Sequence, residues 1–228
     1  MRLVIFDIDG TLTETAKTDE ACFLRSLAEV CGFENVETDW SCYKRTTDSG
    51  IFREIHEARM GRSPSPAEAL RFRRHFVDLL VQTASESAFS PIAGAPRLLA
   101  SLCGSAQLRV SLATGAWRDS ARLKMASAGL CYDDYPAASG DDAFDRESII
   151  KLSMQRAAER YGRFGRTIYV GDGVWDARAS CAIGIPFIGI ADGIGATRLK
   201  AEGAVCVSPD LSDRDSFLRS LHEIANAA

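Results

Sequence analysis

Two carboxylates, Asp7 and Asp9, directly follow the first apolar stretch of the chain, Leu3–Phe6. A short apolar run of this kind is typical of a buried strand. Residues two apart on a strand share a face, so both side chains can point toward one site. Two carboxylates at one place repel each other, and Mg²⁺ is their natural partner because it prefers oxygen ligands and bridges carboxylates to phosphate. Taken alone, Asp9 followed by Gly10 is equally typical of a tight turn.

A second pair of acids, Asp172 and Asp176, follows the apolar run Thr167–Val170 where strand gives way to helix. Asp172 at the strand end can complete a metal shell. Asp176, about one helical turn later, can hold a metal-bound water or orient a neighbouring group. The alternative is that Asp172 is a loop residue and Asp176 a first-turn acid favoured by the helix dipole.

Thr114 and Gly115 end a third apolar run, Leu108–Ala113, just before a helical pattern. A hydroxyl together with unpaired N–H groups at a helix N-terminus forms an anion site. Taken alone, an ordinary helix-capping threonine is the simpler explanation.

Apolar runs and helical patterns alternate from about residue 92 onward, which predicts a doubly wound α/β domain with a parallel sheet. In such sheets ligands bind at the carboxyl edge of the strands. The other predicted strands are Pro186–Ile190 and Ala204–Val207, and the predicted helices are Arg118–Gly129, Arg146–Tyr161 and Trp175–Ile183.

Residues 15–88 contain no convincing strand. We therefore expect an α/β core of residues 1–14 and 89–228, interrupted by an all-helical insertion. The helical patterns of this insertion are Asp19–Cys31, Ser49–Met60 and a third that begins at Pro66, behind a capping box of Ser65 and Glu68.

The composition excludes several classes of function. Lys and Arg number 27 against 31 Asp and Glu, so the basic excess of a nucleic-acid-binding protein is absent. We expect no membrane span, because no apolar stretch is long enough, and no signal peptide, because the short apolar N-terminus turns acidic. Seven widely spaced cysteines without a C-x-x-C pair indicate neither zinc nor a disulfide framework. We expect a cytoplasmic protein, either monomer or homodimer.

In order, the three strand ends resemble the phosphatase-type motifs of the haloacid dehalogenase (HAD) superfamily, and the resemblance covers nearly the whole chain, including a helical cap. It implies a Rossmann-like core and a Mg²⁺-dependent phosphohydrolase. Asp7 would be the nucleophile that becomes a phosphoaspartate. Asp9 would be the general acid and base, with its backbone carbonyl on the metal. Thr114 would hydrogen-bond the transferring phosphoryl group, and Asp172 and Asp176 would hold Mg²⁺.

The third motif of that superfamily, a cation beside the nucleophile, matches less closely because the usual Lys-Pro pair is absent. Arg146 precedes its helix at the expected place and is favoured over Lys151, one turn further on. A cation here would offset the repulsion between a carboxylate nucleophile and an anionic phosphate.

The polar stretch that contains Lys44, Arg45 and Thr47 lies between two predicted helices of the insertion. These residues would join Thr114 and Gly115 in binding the substrate, or form a solvated interhelical loop. The resemblance implies a small phosphorylated metabolite as substrate, phosphoglycolate-like or a sugar phosphate.

Five other functions share parts of this sequence pattern. A phosphomutase would keep the acid at Asp9, whereas haloacid dehalogenases and phosphonate hydrolases lack it. An inactive phosphate-binding module is disfavoured because every acid that the mechanism needs is present. Dinucleotide binding would rest on Gly193 and Gly195, which lack the full fingerprint.

Overall fold

A computed structural model describes residues 1–226 and shows one six-stranded sheet, in which every strand pair is parallel. The strand order is β3-β2-β1-β4-β5-β6, so the direction of winding reverses beside β1. This confirms the predicted doubly wound α/β class. The strands are β1 Arg2–Phe6, β2 Leu108–Ala113, β3 Ala137–Ala138, β4 Arg166–Gly171, β5 Phe187–Ile190 and β6 Cys206–Ser208.

Each helix that was predicted is present, and its predicted bounds agree with the structure to within a few residues. The helix predicted at Arg146–Tyr161 has those bounds, whereas no bounds were predicted for the helices Ala95–Cys103, Gly193–Ala201 and Arg214–Asn226. Strand β3 was not predicted, because two residues are too short for a periodic signal. Within the described residues the helices are α1 Ala16–Cys31, α2 Asp48–Met60, α3 Pro66–Glu86, α4 Ala95–Cys103, α5 Arg118–Ser127, α6 Arg146–Tyr161, α7 Val174–Ala182, α8 Gly193–Ala201 and α9 Arg214–Asn226.

The last strand begins two residues later than predicted. The N–H of Ala204 donates to the carbonyl of Leu199 and so closes the end of α8. The N–H of Val205 then donates to the carbonyl of Phe187 in β5, and the residue-by-residue pairing of the two strands begins at Cys206. The first residue of the predicted strand, Ala204, therefore belongs to the hydrogen bonding that ends α8.

Strand β1 is covered on both faces, which explains its uninterrupted apolar sequence. Val4 and Phe6 belong to one hydrophobic cluster, and Leu3 and Ile5 belong to another on the opposite face. All four side chains are fully buried. The sheet is thus held rigidly in the middle of the core, and the residues that follow β1 begin from a fixed position.

Helices α1–α3 lie between β1 and β2 in the sequence and share a third hydrophobic cluster. Phe23 and Phe52 both pack on Phe72, with ring centroids 5.1 and 4.1 Å away. Trp117, which follows β2, packs into the same cluster and anchors the helices to the core. The insertion is all-helical as expected, while its limits at residues 15 and 88 stay a prediction.

The predicted capping box is present at the start of α3. Ser65 Oγ accepts a hydrogen bond from the N–H of Glu68, and the Glu68 carboxylate accepts one from the N–H of Ser65. In the part of the chain that the structure describes, no helix is long and apolar enough to cross a membrane.

Candidate active site

Three strand ends bring the predicted site residues to one edge of the sheet. Strand β1 lies between β2 and β4, and Phe6 pairs with Leu112 on one side and Val170 on the other. Asp7 follows β1, Thr114 follows β2, and Asp172 follows β4. Because the strands are parallel, these residues emerge together at the carboxyl edge, where α/β sheets bind ligands.

Asp7, Asp172 and Asp176 form a cluster that suits a metal ion. One carboxylate oxygen from each lies within 4.8 Å of the other two. Asp176 is fully buried, and its oxygens contact the Tyr169 hydroxyl at 3.0 Å and the N–H of Gly173 at 3.1 Å. These contacts hold the Asp176 carboxylate in place. Hard oxygen donors this close together suit a divalent cation such as Mg²⁺.

The electrostatics of this cluster also favour a bound cation. Burial raises the pKa of Asp172 well above its usual value, and the charges of Asp7 and Asp176 raise it further. Burial likewise raises the pKa of Asp7, although Arg146 opposes the shift. The pKa of Asp176 rises to about 7, again chiefly through burial. Carboxylates that resist ionisation in this way are stabilised as anions when positive charge binds between them.

Arg146 supplies positive charge from the protein itself. Its Nη1 lies 3.2 Å from Asp7 Oδ1 and 3.4 Å from Asp176 Oδ1, and its Nε donates to the carbonyl of Thr46. It is the first residue of α6, whose N-cap Asp145 fixes where the helix begins. Lys151, on the same helix, is exposed. The structure therefore places Arg146, and not Lys151, beside the predicted nucleophile.

The carboxylate of Asp9 is held apart from the other three acids. Its Oδ1 accepts a hydrogen bond from Thr15 Oγ1 at 2.5 Å, and its Oδ2 contacts Lys124 Nζ at 2.7 Å. Asp9 still lines the same cavity as Asp7. This position suits proton transfer better than metal binding through the side chain.

Sequence reasoning missed Lys124, which is fully buried on α5. Besides Asp9 it contacts the carboxylate of Asp19 on α1. A signal was available, since position 124 lies between Ala121 and Ala128 at helical spacing, on the apolar face of the helix. A lysine on a face that packs inward needs a buried partner.

Thr114 and Gly115 line the cavity. Thr114 is buried, and its Oγ1 accepts a hydrogen bond from the N–H of Ala116. A β-carbon at Gly115 would lie 2.8 Å from the carbonyl oxygen of Thr46 and 2.9 Å from Nη2 of Arg146. Glycine is thus required where the insertion and Arg146 approach the core.

The three insertion residues that were predicted to bind substrate are separated in the structure. Thr47 is buried and lines the cavity, and it also caps α2 by accepting from the N–H of Gly50. Lys44 and Arg45 are exposed and do not line the cavity. Their backbone N–H groups donate to Glu54. An interhelical loop, the alternative considered from the sequence, describes this stretch better.

The cavity, of about 220 Å³, lies between the strand ends and the helical insertion. The core contributes Asp7, Thr114 and Asp172. The side chains from the insertion include Lys17, Thr47 and a set of acidic and aromatic residues, namely Asp19, Glu20, Asp48, Phe23 and Trp40.

A family model for haloacid dehalogenase-like hydrolases matches residues 1–184. This chain belongs to that family. The resemblance inferred from the motifs is confirmed, and the chain is a HAD-like hydrolase. No curated protein matches the sequence.

Solved structures share the whole fold at low sequence identity. A hydrolase from Pseudomonas syringae superposes with a TM-score of 0.77 at 21% identity, covering 99% of this chain and 100% of that one. CbbY from Rhodobacter sphaeroides in complex with phosphate superposes with a TM-score of 0.71 at 19% identity, covering 92% of this chain and 95% of that one. A predicted phosphoglycolate phosphatase from Haemophilus somnus superposes with a TM-score of 0.67 at 14% identity, covering 95% of this chain and 97% of that one. The fold of these structures therefore extends over nearly the whole chain, beyond the residues that the family model matches.

Proposed function

We propose that this HAD-like hydrolase is a Mg²⁺-dependent phosphatase that transfers the phosphoryl group of a small phosphate ester to Asp7 and then to water. The observation that carries the proposal is the position of Asp7. It is buried, lies within 4.8 Å of two further acids, and contacts the guanidinium of Arg146. A nucleophilic carboxylate beside both a cation-binding cluster and a fixed positive charge suits attack on an anionic phosphate.

In the first step a carboxylate oxygen of Asp7 forms a bond to phosphorus while the bond between phosphorus and the ester oxygen breaks. The leaving alcohol takes its proton from the Asp9 carboxyl group. Arg146, beside Asp7, offsets the repulsion between the carboxylate and the phosphoryl oxygens. Thr114, which lines the cavity, donates its hydroxyl hydrogen to a phosphoryl oxygen.

In the second step water attacks the phosphorus of phosphorylated Asp7 and gives a proton to the Asp9 carboxylate. The bond between phosphorus and Asp7 breaks, and phosphate leaves. Asp7, Asp172, Asp176 and the backbone carbonyl of Asp9 would hold Mg²⁺, which when bound supplies charge neutralisation at the phosphoryl oxygens.

The helical insertion acts as the cap of this enzyme. It contributes side chains from α1, including Asp19 and Phe23, to the cavity that also contains Asp7. A cavity of about 220 Å³ suits a small phosphorylated metabolite, such as a sugar phosphate or a phosphoglycolate-like ester. The phosphate bound to CbbY, which has the same fold, supports this class of ligand.

The test is phosphate release from a panel of metabolite phosphates, measured with Mg²⁺ and with EDTA. Asp7→Asn should abolish release, because an amide is not a nucleophile here. Asp133→Asn is the matched control, since Asp133 is an exposed acid that does not line the cavity. Hexose 1-phosphates belong in the panel, with product analysis, because a mutase would return hexose 6-phosphate. Near-normal release by folded Asp7→Asn protein would refute the assignment.

A further inference from the structure

Lys124 joins three separate parts of the chain at the edge of the cavity. Its side chain is fully buried on α5. Its Nζ lies 2.7 Å from Oδ2 of Asp9, which follows β1, and it also contacts the carboxylate of Asp19 on cap helix α1. One ammonium thus bridges the core and the cap.

The charges around Lys124 show why this bridge persists. Three carboxylates attract the ammonium electrostatically: Asp19 on α1, Asp9 in the loop after β1, and Asp48 on α2. Moving the buried ammonium away from its carboxylates would leave a buried charge uncompensated. Lys124 is therefore held firmly, and it holds its partners in turn.

Both oxygens of Asp9 are occupied. Oδ1 accepts from Thr15 Oγ1, which in turn contacts Thr13 Oγ1 at 2.6 Å, and Oδ2 contacts Lys124. We propose that Lys124 is a positioning residue that fixes the Asp9 carboxylate and ties it to cap helix α1. The inference rests on the phosphatase function proposed above, in which Asp9 transfers protons.

Whether the first reaction step needs a proton from Asp9 depends on the substrate, whereas the second step needs Asp9 with every substrate. An alkyl phosphate loses an alkoxide, which must take a proton from Asp9 as the phosphorus–oxygen bond breaks. Acetyl phosphate loses acetate, which needs no proton. Water gives its proton to Asp9 in the second step with either substrate. A misplaced Asp9 therefore slows both steps for an alkyl phosphate but only the second step for acetyl phosphate.

The experiment compares wild type, Lys124→Met and Lys151→Met, all as the full chain with Mg²⁺. Lys151→Met is the matched control because Lys151 is exposed on α6. For the best alkyl phosphate of the panel, Lys124→Met should lower kcat about 100-fold, with KM changed less than about threefold. With acetyl phosphate, intact-protein mass spectrometry should show more phosphoenzyme in Lys124→Met than in wild type or the control. A merely structural defect would not produce this selective accumulation.

Circular dichroism establishes which variants fold. If Lys124→Met does not fold, the double variant Lys124→Met/Asp19→Asn is examined in the same way, because it removes one charge of each sign. A folded variant with wild-type kcat on the alkyl phosphate and no additional phosphoenzyme overturns the role of Lys124 alone. A wild-type protein that neither releases phosphate nor becomes phosphorylated overturns the proposed function, and the role of Lys124 with it.

Discussion

Nη1 of Arg146 lies 3.2 Å from Oδ1 of Asp7, although 139 positions separate the two residues in the chain. The contact exists because α6 begins at Arg146, directly behind its cap residue Asp145. The charge of the proposed nucleophile is therefore compensated by the first residue of a distant helix.

Replacing Arg146 should impair catalysis more than folding. We expect Arg146→Met to lower kcat about 100- to 1,000-fold, because a charge that stabilises the transferring phosphoryl group is lost. Arg146→Lys should retain part of the activity, since the positive charge remains. Steady-state phosphate release checks both variants, with Lys151→Met as the control. Equal losses in Arg146→Met and Lys151→Met would contradict the assignment.

A side chain at Gly10 should lower both stability and activity. Its φ is +74°, and a β-carbon there would overlap the carboxylate of Asp172. Gly61 has a similar φ of +68° but open space around it, so Gly61→Ala reports the backbone cost alone, about 1 kcal/mol. We expect Gly10→Ala to lose more unfolding free energy than Gly61→Ala and to lose activity as well. Urea denaturation and phosphate release are the measurements, and indistinguishable variants would contradict the prediction.

Asp172→Asn should stabilise the metal-free protein while abolishing its response to Mg²⁺. Burial and the charges of Asp7 and Asp176 raise the pKa of Asp172, so its ionised form is unfavourable in the fold. Removing that charge should raise the unfolding free energy by about 1 kcal/mol in EDTA. Thermal unfolding with EDTA and with Mg²⁺ tests this, with Asp133→Asn as control. A variant that Mg²⁺ still stabilises as it does wild type would show that Asp172 is not a ligand.

The carboxylate of Asp142 should make the free energy of unfolding depend on pH under acidic conditions. Burial raises its pKa, but hydrogen bonds from Arg156 and the N–H of Ser139 outweigh this and lower the pKa to about 2. Because the pKa is depressed in the folded state, the stabilisation is present above about pH 4 and is lost as the pH falls toward about 2.

We therefore expect Asp142→Asn to be less stable than wild type by about 1–2 kcal/mol near neutral pH. The difference should shrink between about pH 4 and pH 2. Urea denaturation across this range measures it, and Asp133→Asn, which breaks an exposed ion pair with Arg122, should differ from wild type by less than about 0.5 kcal/mol. A difference that is constant with pH would mean that the charge of Asp142 does not matter.

Local patterns in the sequence sufficed for most of the elements. The apolar runs that become β1, β2 and β4 were recognisable because strands buried on both faces are apolar at every position. The start of α6 was predictable because its cap lies within a few residues of it. The order of the acidic strand ends also indicated the family, which the family match confirms.

The tertiary structure alone decided which charged side chains meet. Arg146 and Lys151 lie one helical turn apart and both carry a positive charge, yet only Arg146 reaches Asp7. Lys44 and Arg45 looked suited to a substrate, but the fold leaves them exposed beside Glu54. The contact of Lys124 with Asp9 depends on how α5 packs below the cap. Sequence determines local conformation and burial pattern, whereas a contact between distant segments depends on packing, which no local pattern encodes.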